Sequence, residues 1–514
     1  MANKKTGCLI DISRFRVPSL GRMKLMLSNL AEQGHEIVLL NIEHVFKTPV
    51  FPVIGSEADG YTEDEFREMD IHAGACGIEL IPSFQSFGHM FHILKWDEYS
   101  HLAETDARWS ICISDESYDF LDRYYEVITR TFSSKLIHIG CDEVYDMFEG
   151  KSRHLLASKS RNELFYDHIM KVKEIAAKYG KEILVWGDMI ERDKAVLKRI
   201  GDQAGVCYWM YDMRDLPEAY QTVNNDIYVC SGNNAWKSFF PRIRYAAANM
   251  KLMLSYFKEL DAYAFMITDW GDGGHFHPAS ITEKLARLGR DIYDGKDAIN
   301  LDLGDDKINK LVDMMDELHG GAFLNAKRHN VGSEYCTQML FHEYVFSGTG
   351  FADQSDEQID TLLEKIDAVR RSDGEINWCK NDLMDEELME DLRLFIDKTY
   401  VFGKKVELHK GFRMQMPYDD LKKMTDDFVI SLRKWLAVFM KRWLTSYQPM
   451  GLYFHIHFMK MLEINTFEEL EKIKKKRDYK DLEKHHIYDI PEYTNIREVC
   501  NIEGLNILWK KYML

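Results

Sequence analysis

Apolar and polar positions follow two regimes along this chain. Through residues 1–300, short apolar runs separate longer stretches that carry an apolar stripe at helical spacing. The runs predict strands at Gly7–Ile12, Glu36–Ile42, Ile78–Ser83, Lys135–Gly140, Glu182–Gly187, Gly205–Trp209, Ile227–Ser231 and Ala262–Thr268. Each is too short for a helix and is bounded by turn residues. The stretches between them predict helices at Ser19–Gln33, Thr62–Ala75, Ser117–Phe132, Asn162–Tyr179, Pro241–Leu260 and Ile281–Tyr293. Thr62 followed by Glu65 has the form of a capping box, and Pro241 suits a first helical position. Gly34 and Gly180 suit helix ends. Eight strands alternating with helices predict an α/β fold with a parallel sheet, and eight is the number that closes a (β/α)8 TIM barrel. An open doubly wound sheet is the rival; no GxGxxG follows the first strand, which argues against its dinucleotide-binding form.

From about residue 301 the alternation stops. Ile308–His319, Asp356–Arg371, Asp385–Thr399 and Leu421–Leu444 read as helices. The expected division is therefore a barrel over 1–300 and a mostly helical C-terminal domain over 301–514. A homodimer through that helical part is compatible with this reading.

Charge and composition narrow the partners. The formal net charge is −18, where a duplex-binding surface would be basic. The one basic run, Lys472 to Lys480, is flanked by Glu469, Glu471 and Asp481 and reads as a solvated helix face. No nucleic acid is expected. No apolar window is long enough to span a bilayer, so no membrane partner is expected either. Nine cysteines without a CxxC pair suggest reduced thiols, and the first residues hold no apolar stretch of secretion-signal length. The expectation is a cytoplasmic protein.

In a TIM barrel the chemistry sits where strands end, so the residues just past each run carry the information. In order these residues are Ser13 and Arg14; Glu43 and His44; Gln85, Gly88 and His89; Cys141, Asp142 and Glu143; Trp186 and Asp188; Trp209 and Tyr211; Asn233, Asn234 and Trp236; Asp269, Trp270 and Asp272. Carboxylates and amides come from nearly every end, and indole rings follow the last four. Such a set suits a neutral, hydroxyl-rich ligand with an apolar patch. A phosphate site would call for Gly-rich loops and more basic groups. Cleavage of a glycosidic bond needs an acid for the leaving oxygen and a second group at the oxocarbenium-like centre. Two adjacent carboxylates on one strand end suggest that one serves the leaving group and its neighbour serves something attached to the sugar.

Those residues carry a resemblance. KLIHIGCDE, Lys135–Glu143, resembles the H-x-G-G-D-E signature of the glycoside hydrolase family 20 β-N-acetylhexosaminidases, with the closest likeness to the hexosaminidase D-like branch. LIDISRFRVP, NIEHVF, GIELIPSFQSFGHM, ILVWGDM and TDWGDGG extend the likeness over most of residues 1–290. The resemblance implies an exo-β-N-acetylhexosaminidase acting on terminal β-linked GlcNAc or GalNAc. It implies a retaining mechanism in which the substrate's 2-acetamido oxygen forms an oxazolinium ion. Glu143 would be the general acid and base, with a raised pKa, and Asp142 would hold the acetamido N–H. Arg14 would bind ring hydroxyls; its structural alternative is an ion pair at the barrel mouth. His89 and Glu43 would support the acidic pair. Trp186, Trp209 and Trp270 would enclose the acetamido methyl and stack under the sugar. Tyr211 is the candidate for the acetamido oxygen, with Tyr145 competing, and Trp236 and Asp272 would touch outer hydroxyls.

The chain departs from the family pattern in two places. Cys141 replaces the second glycine of the signature and reads as a spacer rather than a nucleophile. GDGGHFHP lacks the W-x-E glutamate, so sugar preference does not transfer; His275 and His277 are candidates for that rim. Two histidines without a third ligand nearby are weak evidence for a metal, so neither metal nor cofactor is expected. Two further functions fit the same residues: a glycosidase for modified or disaccharide hexosamine units, and a non-catalytic glycan-binding protein.

Overall fold

The computed structural model describes residues 4–324 and 353–476 other than 57, 225, 239, 273, 274 and 278, together with 339, 345, 346 and 351. The end of the basic run, 477–480, and residues 273–274 of the GDGG stretch lie outside the described residues. The chain divides into two units. The first comprises Met1–Asn234, Tyr245–Gly271 and Ala286–Ala298. The second takes in Ala235–Arg244, Asp272–Leu285 and the described residues from Ile299 onward.

Eight parallel strands form the first unit's sheet: β1 (Lys5–Asp11), β2 (Ile37–Asn41), β3 (Glu79–Ser83), β4 (Leu136–His138), β5 (Glu182–Trp186), β6 (Gly205–Trp209), β7 (Ile227–Gly232) and β8 (Ala264–Asp269). They pair in chain order, and β8 returns to β1 with Lys5 opposite Ala264, closing a barrel. Every run read as a strand from the sequence is one. β2, β7 and β8 are buried at every position. This is why they read as continuous apolar runs: a parallel sheet is covered on both faces.

Alternate residues fill the barrel interior. Leu9, Ile37, Leu39, Ile81, Leu184, Trp186, Cys207, Tyr228, Cys230, Ala264 and Met266 form one buried cluster, in which strand neighbours two apart recur. Small Cys207, Cys230 and Ala264 leave room for Trp186 and Tyr228, so the interior is packed rather than open. Each fully buried large aliphatic side chain contributes about 1.5–3 kcal/mol. Trp209 and Trp270 pack against this cluster while staying partly exposed.

The crossovers are helical: α1 (Leu20–Glu32), α2 (Glu63–Ala75), α3 (Asp115–Thr129), α4 (Arg161–Lys178), α5 (Lys194–Gly201), α6 (Ile243–Glu259) and α7 (Ala279–Tyr293). Between β6 and β7 the chain makes only a 3₁₀ turn, Glu218–Thr222. The starts follow cap chemistry. Thr62 Oγ1 accepts the Glu65 N–H at 3.3 Å, and the Glu65 carboxylate accepts the Thr62 N–H at 2.8 Å. Ser19, Ser114, Ser160 and Asp193 cap α1, α3, α4 and α5, each side chain accepting one first-turn N–H. Pro241 does not occupy the first turn of α6, which starts at Ile243. The Asp316 carboxylate takes the Ile243 N–H at 2.7 Å and so sets the start there.

In the second unit, α8 (Asp306–Gly320), α9 (Asp356–Gly374), α10 (Glu386–Arg413), α11 (Tyr418–Ser446) and α12 (Met450–Lys476) pack in sequence. No described helix is long and apolar enough to cross a membrane. Arg442 ties α11 to α10, with Nε 2.7 Å from Asp391 and Nη2 2.8 Å from Glu387. Of α12, the sequence marks only the basic end from Lys472 as helical. Exposed Tyr453 and Ile464 sit among buried Leu452, Phe458, Met459 and Leu462 and blur the stripe. The seven described cysteines are free thiols.

Candidate active site

The C-terminal strand ends of the first unit hold a buried network of charge. It starts at β1. Asp11 Oδ1 accepts from the Ser13 N–H and from Asn41 Nδ2, and Asp11 Oδ2 accepts the Gly271 N–H. This ties the ends of β1, β2 and β8 together. Arg14 comes next, with Nη1 2.7 Å from Glu43 Oε2 and both side chains at least 96% buried. The ion pair weighed as Arg14's structural alternative is thus present. Burial raises the Glu43 pKa, and Arg14 opposes that rise. Arg16 pairs with Asp269 at 2.9 Å, and Asn233 donates to the other Asp269 oxygen at 2.9 Å.

His89 links this network to the adjacent carboxylates. Its Nδ1 lies 3.5 Å from Arg14 Nη2. Its Nε2 lies 3.3 Å from Asp142 Oδ2 and 3.5 Å from Glu143 Oε2, as an ionic contact shared between the two. Burial opposes a charge on His89, yet Asp142 and Glu143 outweigh it and hold the pKa well above the ordinary value. The imidazolium in turn prevails over burial at Asp142 and Glu143 and holds both below their ordinary values. The raised Glu143 pKa expected from its anionic neighbour is therefore corrected. These directions favour a protonated His89 beside ionised Asp142 and Glu143. Asp142 is buried, whereas a third of the Glu143 side chain stays exposed, so Glu143 reaches solvent.

Backbone geometry sets these positions. Phe15, Glu43, His89, Cys141, Glu143 and Asn234 all take positive φ, between 46° and 71°, just past strand ends or in the adjoining loops. For residues with a side chain this conformation costs about 1–2 kcal/mol, and such strain collects at functional sites. Gly140 has φ 68°, and a Cβ there would lie 1.8 Å from Gln85 Oε1. At Gly88 a Cβ would meet the Asp142 carbonyl oxygen at 2.7 Å. The two glycines thus let the β3 and β4 ends close on each other. Gln85 exploits the closeness: Oε1 accepts the Cys141 N–H at 3.3 Å and Nε2 donates to Asp142 Oδ1 at 3.2 Å.

A set of aromatic groups lies at the ends of β5, β6 and β8. Trp186 is 1% exposed, with its ring 4.5 Å from His138 and 6.0 Å from Trp270. Trp270 Nε1 donates to the Tyr211 phenol oxygen at 2.5 Å, and Thr268 Oγ1 donates to it at 3.2 Å. Trp209 stacks on Tyr211 at 5.0 Å. Arg14, Glu43, His89, Asp142 and Glu143 therefore form one contact network, and Trp186, Trp209, Tyr211 and Trp270 form a second within the same unit. Trp236 and Asp272 belong to the other unit, where Arg242 lies over the Trp236 ring at 5.7 Å and the Lys237 N–H donates to the Asp272 carbonyl. His275 and His277 lie there too, with rings 5.8 Å apart, on a cavity also lined by Phe276, Lys398, Trp435 and Trp443.

Trp109 was not anticipated. Its Nε1 donates to the Glu143 carbonyl at 2.7 Å, and its ring lies 4.4 Å from His89. Tyr145 stacks on its outer side and is 65% exposed. A tryptophan inside the polar stretch between β3 and α3 was the available signal.

Residues 26–246 match the catalytic domain of glycosyl hydrolase family 20. These residues, under half of the chain, are similar to that catalytic domain. The chain is 29% identical to human hexosaminidase D over 139 residues, 25% of this chain and 28% of that protein. Over an equal length it is 31% identical to bovine hexosaminidase D, 25% of this chain and 40% of that protein. The human β-hexosaminidase subunit beta is 27% identical over 218 residues, 37% of this chain and 38% of its own length. The chain thus spans well under half of these relatives. Against the family signature, Cys141 occupies a left-handed position that suits glycine. It is fully buried, burial pushes its thiol up to about 12, and its Sγ lies 3.2 Å from Ser86 Oγ. A thiol so hard to ionise is a poor nucleophile.

Proposed function

We propose that this chain is an exo-acting β-N-acetylhexosaminidase that removes terminal β-linked GlcNAc or GalNAc with retention. The substrate's own 2-acetamido oxygen is the nucleophile. One observation carries the reading: Asp142 and Glu143 share a single imidazole nitrogen and therefore serve one side of the sugar. Enzymes with a carboxylate nucleophile or a base-activated water set two carboxyls across the anomeric carbon instead. Glu43, Asp269 and Asp11, three other carboxylates at strand ends, are held by Arg14, Arg16 and by Ser13, Asn41 and Gly271.

Glu143 protonates the leaving oxygen and later takes a proton from the attacking water. It starts ionised, so binding must raise its pKa. A neutral sugar displaces water from its exposed third, and Asp142 keeps its negative charge nearby; both changes favour the protonated form. Asp142 accepts the acetamido N–H and offsets the positive charge on the oxazolinium ion. The Tyr211 phenol addresses the acetamido oxygen, and Trp186, Trp209 and Trp270 wall the methyl group.

The test is release of p-nitrophenol from the β-GlcNAc, β-GalNAc and β-glucose conjugates. Activity on the first two and little on the third is expected, since glucose has no acetamido group. Glu143→Gln should lower kcat by about 10²–10⁴ and Asp142→Asn by about 10²–10³. A wild-type rate on the glucoside comparable to that on the amino sugars rules the mechanism out.

A further inference from the structure

Asp188 lies two residues past Trp186, the end of β5, and opens a 3₁₀ turn, Asp188–Ile190. Its Oδ2 accepts the Glu143 N–H at 3.2 Å. Its Oδ1 is closed off from solvent and has no hydrogen-bond partner among the described residues. On the far side of the same residue, Trp109 Nε1 holds the Glu143 carbonyl. Glu143 itself takes the left-handed conformation, with φ 48°. A glutamate does not adopt that conformation without cost, about 1–2 kcal/mol, so neighbouring groups must hold it there.

We propose that Asp188 is a positioning residue of the carboxylate pair, fixing the left-handed backbone of Glu143 through its N–H and so aiming the Glu143 carboxyl. The proposal rests on the hexosaminidase reading for its catalytic consequence. The groups that act on Asp188 agree with it. Burial, then the Asp142 carboxylate, push its pKa up to about 8, with Glu143 adding to the rise through its charge and opposing it through its N–H. Cys141 and the Tyr220 phenol also sense Asp188, and both are kept protonated by burial. The rise favours the carboxylic acid form of Asp188. That form accepts the N–H without placing a third negative charge beside the pair, and an amide oxygen can take over that task.

The experiment compares Asp188→Asn and Asp188→Ala with the wild-type chain. Steady-state kinetics on the β-GlcNAc conjugate between about pH 5.5 and 9 are combined with amide hydrogen exchange of the peptide spanning 139–147. Asn should keep kcat within about threefold and remove any titration near pH 8. Ala should lower kcat by about 10–10²-fold, the scale of a misplaced catalytic group, with KM changed far less. In Ala the Glu143 amide should exchange faster; in Asn it should stay protected. Equal kcat and equal exchange in Ala and wild type overturn the proposal, as does an Asn variant as impaired as Ala. Should Ala fail to fold, Asn alone decides through its kcat, its exchange and its pH profile. A wild-type chain inactive on the conjugate sinks the hexosaminidase reading instead, and the exchange data then judge the positioning of Glu143 on their own.

Discussion

His89→Gln probes the centre of the charge network, because among the described residues the His89 imidazole is the basic group that touches both Asp142 and Glu143. A unit charge at 3.3 Å is worth about 5 kcal/mol at an effective dielectric of ~20. That figure is an upper bound; removing one partner of a buried pair costs about 3–5 kcal/mol. A carboxylate left behind relieves part of the loss by binding a proton, so about 2–4 kcal/mol of destabilisation is expected near pH 7. The sign with pH comes from the directions of the shifts. Asp142 and Glu143 hold depressed values, so their stabilisation is present above the unfolded value of about 4 and is lost as pH falls through the native values. His89 holds a raised value, so its share is present below about 6.5 and is lost as pH rises through the native value. The wild-type cluster is strongest between those limits. In the variant, burial without a counter-charge raises both carboxyls, which protonate readily as pH falls. Urea unfolding should therefore show a difference from wild type that shrinks between about pH 7 and about pH 4.5. In kinetics, the alkaline limb set by Glu143 should move to higher pH by about one unit or more, each unit being about 1.4 kcal/mol. Destabilisation of equal size at both pH values, with an unmoved alkaline limb, would refute the reasoning.

Gly140→Ala places a methyl group on Gln85 at a positive-φ position, so Gln85 must leave Asp142. We expect a loss of about 2 kcal/mol from backbone strain and a displaced hydrogen bond, with kcat down about tenfold, read by thermal melting and turnover. Cys141→Gly relieves about 1–2 kcal/mol of left-handed strain and gives back about 0.5–1 kcal/mol through the flexibility of unfolded glycine. Its melting temperature and turnover should stay close to wild type; a collapse of activity would show that the thiol acts chemically. Thr62→Ala removes one half of the α2 capping box and should cost about 1 kcal/mol by urea unfolding with kcat unchanged, since the cap lies in the helix layer.

What the sequence could declare on its own was periodicity and strand-end chemistry. Buried parallel strands must be apolar on both faces, so runs such as Ile37–Asn41 and Ile227–Gly232 announce themselves. The barrel is implied because most of the eight strands are succeeded by an amphipathic helix, although only a 3₁₀ turn follows β6. Asp142 and Glu143 were legible because two adjacent acids directly after an apolar run have no packing reason to be there. Tertiary structure alone decided which neighbours those acids meet. His89 arrives from the loop after β3, Asp188 from β5 and Trp109 from a connection with no periodic signal; closure of the barrel brings all three onto Glu143. The proton's location was likewise beyond the sequence. Adjacency alone argues that Glu143 should hold it, whereas a cation 3.5 Å away reverses the balance, and a distance between residues 54 positions apart exists only in the folded chain.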